Sequence, residues 1–318
     1  MNILFISSTR IGDAVLSTGL LQHLIEKYED AHFTIASGSL PAPLFKCTPR
    51  VLKRIALVKQ PFSLHWLSLW KNVVGTAWDL VVDLRGSGLA WTLVAKKRRV
   101  LQSVDDDLHR VEALANFMEL PDPPSPKLWW SGNEENYADE FMNGETPIIA
   151  IGPTANWAAK IWPADRFVSL LNLLTAKDGI LPGARVAVLG GEDERDLALP
   201  ILNSIPPERC IDLVGSVDIL SAAACLSRCQ LFIGNDSGLM HLSAATGVPT
   251  LGLFGPSPPI NYAPWGSKCA VAKTEIPYEK LVGAPEFDHL DTQSLMTSLT
   301  VENATIATID LWNRSQVK

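Results

Sequence analysis

The chain has 318 residues, 47% of them hydrophobic and 19% charged, which suits a globular protein with a sizeable core and excludes disordered, collagen-like and low-complexity classes. Lys and Arg number 27 against 34 Asp and Glu, a net charge of −7, which argues against nucleic acid as a partner. The length suggests two domains.

In chain order, the first seven residues lack a basic leader and a long apolar region, so no signal peptide is expected. Short apolar runs predict strands over 3–6, 33–36, 55–58 and 80–83. Between the first two, Leu16, Leu20, Leu21, Leu24, Ile25 and Tyr28 line one helical face, and Val111, Leu114, Ala115 and Met118 line a later one. Pro121, Pro123, Pro124 and Pro126 then interrupt regular structure. Ser131 and Glu134 have the spacing of a capping box opening a helix to about Met142. The domain boundary is placed after that helix, giving domains over 1–145 and 146–318.

The second half repeats the alternation. Strands are predicted over 148–151, 186–189, 211–214, 231–233 and 250–254, with Phe167, Leu170, Leu171 and Leu174 on an intervening helical stripe. The stretch 300–312 reads as a closing helix with Val301, Ala304, Thr308 and Trp312 on one stripe. Strand–helix alternation predicts an α/β fold with parallel sheets and helices on both faces, here as two Rossmann-like domains. No apolar run reaches the roughly 18 residues of a spanning helix. Cys47, Cys210, Cys225, Cys229 and Cys269 are scattered, without a Cys-x-x-Cys pair, which fits a reducing cytoplasm. Cys225 and Cys229 read as core thiols on one helix face.

Open parallel sheets bind ligands beyond the carboxyl ends of their strands, at helix N-termini. Three segments occupy such places. Ser7-Ser8-Thr9-Arg10-Ile11-Gly12-Asp13 follows the first strand. Asp13 there is either a partner of the helix N-terminus or a carboxylate able to take a proton from a substrate hydroxyl. Neither a dinucleotide fingerprint nor a P-loop is present. The second segment runs from Gly152 to Pro163 and carries Lys160, just before a helix that Pro163 can open. Lys160 is either solvated or set to meet a ligand phosphate. The third is Asn235-Asp236-Ser237-Gly238-Leu239-Met240-His241, where Asp236 or Ser237 can cap a helix ending at Gly247. Its N-terminus is an anion site, or a capped helix with nothing bound. His241 reads as a packed core histidine when taken alone. No Gly-x-Ser-x-Gly elbow supports a hydrolase.

No metal site is expected. Asp105, Asp106 and Asp107 contain an Asp-x-Asp but precede a helix, where acids complement the dipole. His23, His32, His65, His109 and His289 lack metal-ligand spacing.

Arg10-Ile11-Gly12-Asp13, Lys160-x-Trp162-Pro163, and Asn235 to Leu242 followed by Gly247-Val248-Pro249 and Leu253-Phe254-Gly255-Pro256 together resemble the motifs of the family 9 glycosyltransferases, the heptosyltransferases of lipopolysaccharide core assembly. The resemblance spans nearly the whole chain. It implies a GT-B fold, two Rossmann-like domains facing across a cleft, with a C-terminal helix folded back on the first. It further implies inverting transfer of heptose from ADP-heptose to a lipid-linked acceptor, without metal or other cofactor. By matching motif, Asp13 would be the general base, with Arg10 and Gly12 on the acceptor side. Lys160 would neutralise donor phosphates and Asp236 contact the donor sugar. Ser237, Gly238, Leu239 and His241 would hold the diphosphate. Glu194 would contact the nucleotide, and Gly215, Ser216 and Val217 its base. The implied partners are a nucleotide-diphosphate sugar and an anionic lipid-linked saccharide on the cytoplasmic face of the inner membrane. Two basic clusters, Lys46/Arg50/Lys53/Arg54 and Lys96/Lys97/Arg98/Arg99, are either ordinary solvated surface or the acceptor's cationic partners. The alternatives are a nucleotide-sugar epimerase on the same fold, a non-catalytic sugar-nucleotide binder, and a nicotinamide oxidoreductase, which the missing glycine fingerprint disfavours.

Overall fold

The computed structural model describes residues 1–283 and 293–316. His289 lies outside the described residues. The chain divides into two compact units, Met1–Ser131 and Gly132–Lys318.

The first unit holds one parallel sheet of β1 (Asn2–Ile6), β2 (His32–Gly38), β3 (Val51–Leu57), β4 (Trp78–Asp83) and β5 (Ala95–Val100), in the order β3-β2-β1-β4-β5. Its helices are α1 (Ile11–Lys27), α2 (Leu64–Val73) and α3 (Arg110–Phe117). Ile3, Leu4, Phe5 and Ile6 are all fully buried. An unbroken apolar run of this kind is what a central parallel strand needs when both its faces are covered. Leu4 and Ile6 pack with Leu69 and Val73 of α2, so Ile3 and Phe5 point to the other face. The end of α1 is closed from a distance. The Arg50 guanidinium donates to the Tyr28 carbonyl at 2.8 Å and also to that of Ile25, where the last turn has unpaired acceptors.

β5 was not expected. Its sequence, Ala95-Lys96-Lys97-Arg98-Arg99-Val100, reads as a charge run, and it is an edge strand. Charged residues suit an edge because they discourage pairing with other chains. Three of the four charges have internal partners. Lys96 pairs with Asp79 at 2.6 Å, and Arg99 forks onto Glu119 at 2.8 and 2.7 Å. Arg98 donates to the carbonyls of Ala90 and Leu93 at 2.9 and 2.5 Å. This cluster is therefore largely strand architecture, not a free cationic surface. The 3–10 turn Pro61–Ser63 that leads into α2 is unusual. Phe62 and Ser63 both have left-handed backbones, φ 52° and 58°. Non-glycine residues held there cost about 1–3 kcal/mol each.

The second unit carries the parallel strands β6 (Ile148–Gly152), β7 (Arg185–Val188), β8 (Cys210–Asp212), β9 (Leu231–Asn235), β10 (Thr250–Phe254) and β11 (Cys269–Lys273), in the order β11-β10-β9-β6-β7-β8. Its helices are α4 (Gly132–Phe141), α5 (Ala164–Thr175), α6 (Arg195–Leu202), α7 (Ile219–Ser227), α8 (Gly238–Thr246), α9 (Pro259–Tyr262), α10 (Tyr278–Val282) and α11 (Val301–Gln316). The expected boundary followed α4, whereas the units divide before it. The reason is that α4 packs on α7, and Arg228 joins Glu135 and Asp139 of α4, each at 2.8 Å. The buried stripe of α11, Ala304, Thr308 and Leu311, packs against α5, β10 and β11. Fully buried Trp162 seats this helix's entry by donating its indole N–H to the Leu299 carbonyl at 2.9 Å.

Candidate active site

In the second unit the strand order reverses between β6 and β9. Chain direction runs from β6 outward to β7 and β8, then returns to β9 on the other flank. Ligands of open α/β sheets bind at the carboxyl ends of strands on either side of such a reversal. Gly152 and Gly234 lie in register across it. The two share a reason to be glycine. A Cβ at Gly152 would stand 2.9 Å from the Phe232 ring, and one at Gly234 2.7 Å from the same ring.

Beyond these ends the loops are joined by side chains. Asn235 accepts from the Trp162 N–H at 3.1 Å and donates to the Pro153 carbonyl at 2.8 Å, linking the loop after β9 to the loop after β6. Lys160 Nζ meets Asp236 Oδ2 at 2.5 Å, with the two side chains 21% and 7% exposed. His241 is buried, its Nε2 3.9 Å from Asp236 Oδ1. Ser237 is the N-cap of α8, yet its side chain makes no capping bond, and its buried Oγ has no hydrogen-bond partner among the described residues. The expectation of a side-chain cap from Asp236 or Ser237 is thus not met. Asp236 turns to Lys160 instead. A first turn of α8 without a side-chain cap, beside a lysine, has the polarity an anion needs. As expected, α8 ends at Gly247.

The loops after β7 and β8 lie alongside. Glu194 Oε2 accepts from the Thr154 hydroxyl and from the Gly191 N–H, both at 2.7 Å, and Oε1 takes no hydrogen bond from the described residues. Gly215 donates its N–H to the Gly190 carbonyl at 3.0 Å. It has φ 70°, and a Cβ there would be 2.8 Å from Glu192 Cα. The Ser216 carbonyl accepts from the Tyr137 hydroxyl at 3.5 Å. The structure therefore gathers Thr154, Lys160, Glu194, Gly215, Asp236 and Ser237 at one end of one sheet. Thr154 and Asn235 lie inside segments that the sequence marked, but neither was given a role. Their signal was a polar residue at the end of a buried strand or just past it.

In the first unit the reversal lies between β1 and β4. Arg10 is the N-cap of α1 without a side-chain cap bond, and Asp13 sits in the first turn beside Gly12. The Asp13 carboxylate makes one contact among the described residues, from Ser8 Oγ at 3.5 Å, the outer limit of a hydrogen bond. It does not cap the helix, and its oxygens are open to another donor. Sequence reasoning missed the neighbouring loop after β4. Asp83 is fully buried and accepts from the Arg85 N–H at 2.8 Å, the Ser87 N–H at 2.9 Å and the Ser87 hydroxyl at 2.6 Å. Burial pushes its carboxyl up from the ordinary value, and these bonds oppose the shift. Arg85 in turn donates to the Thr9 hydroxyl at 2.9 Å, tying this loop to the one that carries Asp13. The signal was available in Asp83-Leu84-Arg85-Gly86-Ser87-Gly88, a polar, glycine-rich turn at a strand end.

Asp105, Asp106 and Asp107 precede α3, whose N-cap is His109 in a capping box with Glu112. Asp105 accepts from the Asp107 N–H at 2.9 Å. Among the described residues no group of three or more His, Cys, Asp or Glu is placed to hold a metal ion.

The family description glycosyltransferase family 9 (heptosyltransferase) matches residues 95–286. The chain belongs to this family. As a family 9 glycosyltransferase it is an enzyme of sugar transfer, which sets aside the epimerase, oxidoreductase and non-catalytic readings. It is 23% identical to lipooligosaccharide heptosyltransferase 2 of Haemophilus influenzae over 86% of this chain and 88% of that one. It is 25% identical to lipopolysaccharide heptosyltransferase 2 of Salmonella typhimurium, over 88% and 90%. The crystal structure of a family 9 glycosyltransferase from Veillonella parvula superposes with a TM-score of 0.79 at 20% identity, covering 98% of this chain and 97% of that one. The E. coli ADP-heptose lps heptosyltransferase II gives 0.77 at 21%, covering both chains fully. The fold of this family 9 member is GT-B.

Proposed function

We propose that this protein transfers heptose from ADP-heptose to a lipid-linked acceptor of the lipopolysaccharide core, with inversion and without a metal. The relatives' names supply the substrate class. The observation that carries the reading is the Lys160–Asp236 pair beside the N-terminus of α8, whose capping serine makes no cap bond.

In this reaction an acceptor hydroxyl attacks the anomeric carbon, the bond from that carbon to the diphosphate oxygen breaks, and ADP leaves. Negative charge grows on the departing diphosphate. Lys160 and the N–H groups of Gly238 and Leu239 meet it, which is how a site without a metal stabilises such a transition state. Asp236 holds Lys160 and faces the donor sugar, with His241 packed behind it. Glu194 offers Oε1 to a ribose hydroxyl, and the Gly215-Ser216-Val217 turn borders the base. The acceptor's proton passes to Asp13, whose oxygens have no strong internal donor, with Arg10 and Gly12 lining the acceptor side. The acceptor is anionic and stands at the cytoplasmic membrane surface. No helix among the described residues is long and apolar enough to cross a membrane.

The test is transfer from ADP-heptose to a core-truncated lipopolysaccharide, with product anomer read by NMR and a chelator present in parallel. A single inverted anomer, formed equally with the chelator, is expected. Turnover of ADP-heptose without acceptor, or activity restored only by manganese or magnesium, would refute this reading.

A further inference from the structure

The two units carry opposite charge. Residues 1–131 hold 15 Lys and Arg against 12 Asp and Glu, a net of +3, while residues 132–318 hold 12 against 22, a net of −10. The asymmetry is sharpest between Asp30 and Asp79. That stretch has no acidic residue and six basic ones, Lys46, Arg50, Lys53, Arg54, Lys59 and Lys71.

Several of these have structural work. Arg50 closes α1, and Lys53 donates to the Asn72 carbonyl at 3.1 Å, at the end of α2. Lys53 therefore faces α2, and by strand alternation Arg54, in the regular register that follows the shift at Leu52, faces away from it. Lys59 and Lys71 are exposed, and their side chains make no ion pair or hydrogen bond among the described residues.

The same two lysines flank an apolar surface. On α2, Leu69 and Val73 are buried and Trp66 and Trp70 pack half-buried beside them. The opposite stripe is Leu64, Leu67 and Lys71, with the two leucines 49% and 48% exposed. Just before it, the left-handed turn at Phe62 and Ser63 holds the Phe62 ring 96% exposed. A strained turn that presents a phenyl ring to water is an outlier from which a function can be inferred. Aromatic and leucine side chains on one face with lysines at its borders have the composition of a helix that lies in the interface of an anionic bilayer.

We propose that the Phe62–Lys71 face of the first unit docks on an anionic lipid surface. Phe62, Leu64 and Leu67 enter the boundary between headgroups and acyl chains, and Lys59 and Lys71 meet headgroup phosphates. The biological sense of this docking rests on the lipid-linked acceptor proposed above, but its measurement does not.

The full chain is sedimented with phosphatidylcholine vesicles, with and without phosphatidylglycerol, at low and high salt. Binding is expected only with phosphatidylglycerol, and salt should weaken it. Phe62→Asp with Leu67→Asp should weaken it at least tenfold, and Lys59→Glu or Lys71→Glu by about fivefold each. Ile306→Asp, an exposed apolar position on α11 of the second unit, should leave it unchanged, as should the thermal midpoint of every variant. Wild-type protein that ignores phosphatidylglycerol, or a Phe62/Leu67 variant that binds like wild type, would overturn the proposal. So would a variant that changes only the oligomeric state, because the face would then join two copies. Transfer to a delipidated, water-soluble acceptor separates the two readings. It should be equal in wild type and the Phe62/Leu67 variant if docking alone is lost. If wild type fails on it, the proposed reaction is wrong while vesicle binding still reports on the docking face.

Discussion

Replacing Lys160 by alanine has two consequences that can be measured apart. Asp236 is 7% exposed and has Lys160 at 2.5 Å. Removing one member of a buried ion pair leaves the other charge uncompensated, at about 3–5 kcal/mol for a fully buried pair. Lys160 keeps 21% of its side-chain surface, so water can partly replace it and about 2–3 kcal/mol is expected. For a unit of this size that is a fall in Tm of about 4–12 °C. The second consequence is on nucleotide binding. A charge-assisted contact to phosphate contributes about 1.5–3 kcal/mol, so Kd for ADP should rise about 10- to 150-fold. Adding Asp236→Asn to Lys160→Ala removes the stranded charge. The double variant should recover most of the lost Tm and none of the lost affinity. Calorimetric titration with ADP and a thermal melt on all three proteins decide the matter. An unchanged ADP affinity in folded Lys160→Ala would refute the phosphate role. A double variant no more stable than the single would refute the electrostatic account of the pair.

Asp13→Asn should lower transfer about 10²- to 10⁴-fold while ADP affinity and Tm stay put, since Ser8 at 3.5 Å is the contact it would disturb; a fall in Tm at wild-type rate would make Asp13 only a partner of the helix dipole. Gly215→Ala should cost about 1–3 kcal/mol, read by denaturant titration, because both its φ of 70° and the nearness of Glu192 oppose a side chain. Burial holds the Asp83 carboxyl above its ordinary value, so the folded state binds that proton more tightly than the unfolded chain does. Its contribution to stability is full at acid pH and is lost as pH rises from the ordinary carboxylate range through the raised one; the Tm of wild type relative to Asp83→Asn should fall over that window, and a flat difference would contradict it. The thiols of Cys225 and Cys269 are pushed up by burial to about 11 and about 12, and that of Cys229 higher still. Buried Cys225 and Cys229 should therefore react last with maleimide in native protein, with mass spectrometry reading the order.

The strands legible in the sequence were those covered on both faces. β1, β6, β9 and β10 are unbroken apolar runs because a parallel sheet buries their two sides alike. β5 and β11, both edges, escaped because β5 carries four consecutive charges and β11 is only partly buried. β3, also an edge, begins at Val51, earlier than the run from Ile55 announced. The three loops that hold the candidate site were legible because each joins a buried strand to a polar, glycine-bearing turn. What those loops do to one another was not. Lys160 and Asp236 are 76 residues apart, and Thr154 and Glu194 are 40 apart. Each residue alone is a plausible surface group, and only the sheet order brings them into reach. The same holds for Arg85 and Thr9, 76 residues apart. The pairings of Lys96 and Arg99 were hidden in the same way, because their partners Asp79 and Glu119 lie on separate segments.

The Phe232 ring constrains how this protein can change by single substitutions. Because that ring fills the place of a side chain at both Gly152 and Gly234, neither glycine can become alanine while the phenyl group stays where it is. The reverse order is open. Shrinking Phe232 first leaves a cavity of the kind that costs about 3–5 kcal/mol, and an alanine at Gly152 then partly refills it, whereas one at Gly234 still meets the Gly152 carbonyl oxygen at 2.9 Å. A route from one sheet-end packing to another therefore passes through an unstable intermediate, and the order of steps is fixed. Laboratory selection that begins from Phe232→Leu should collect changes at residue 152 that selection from the wild type rejects, and none at residue 234.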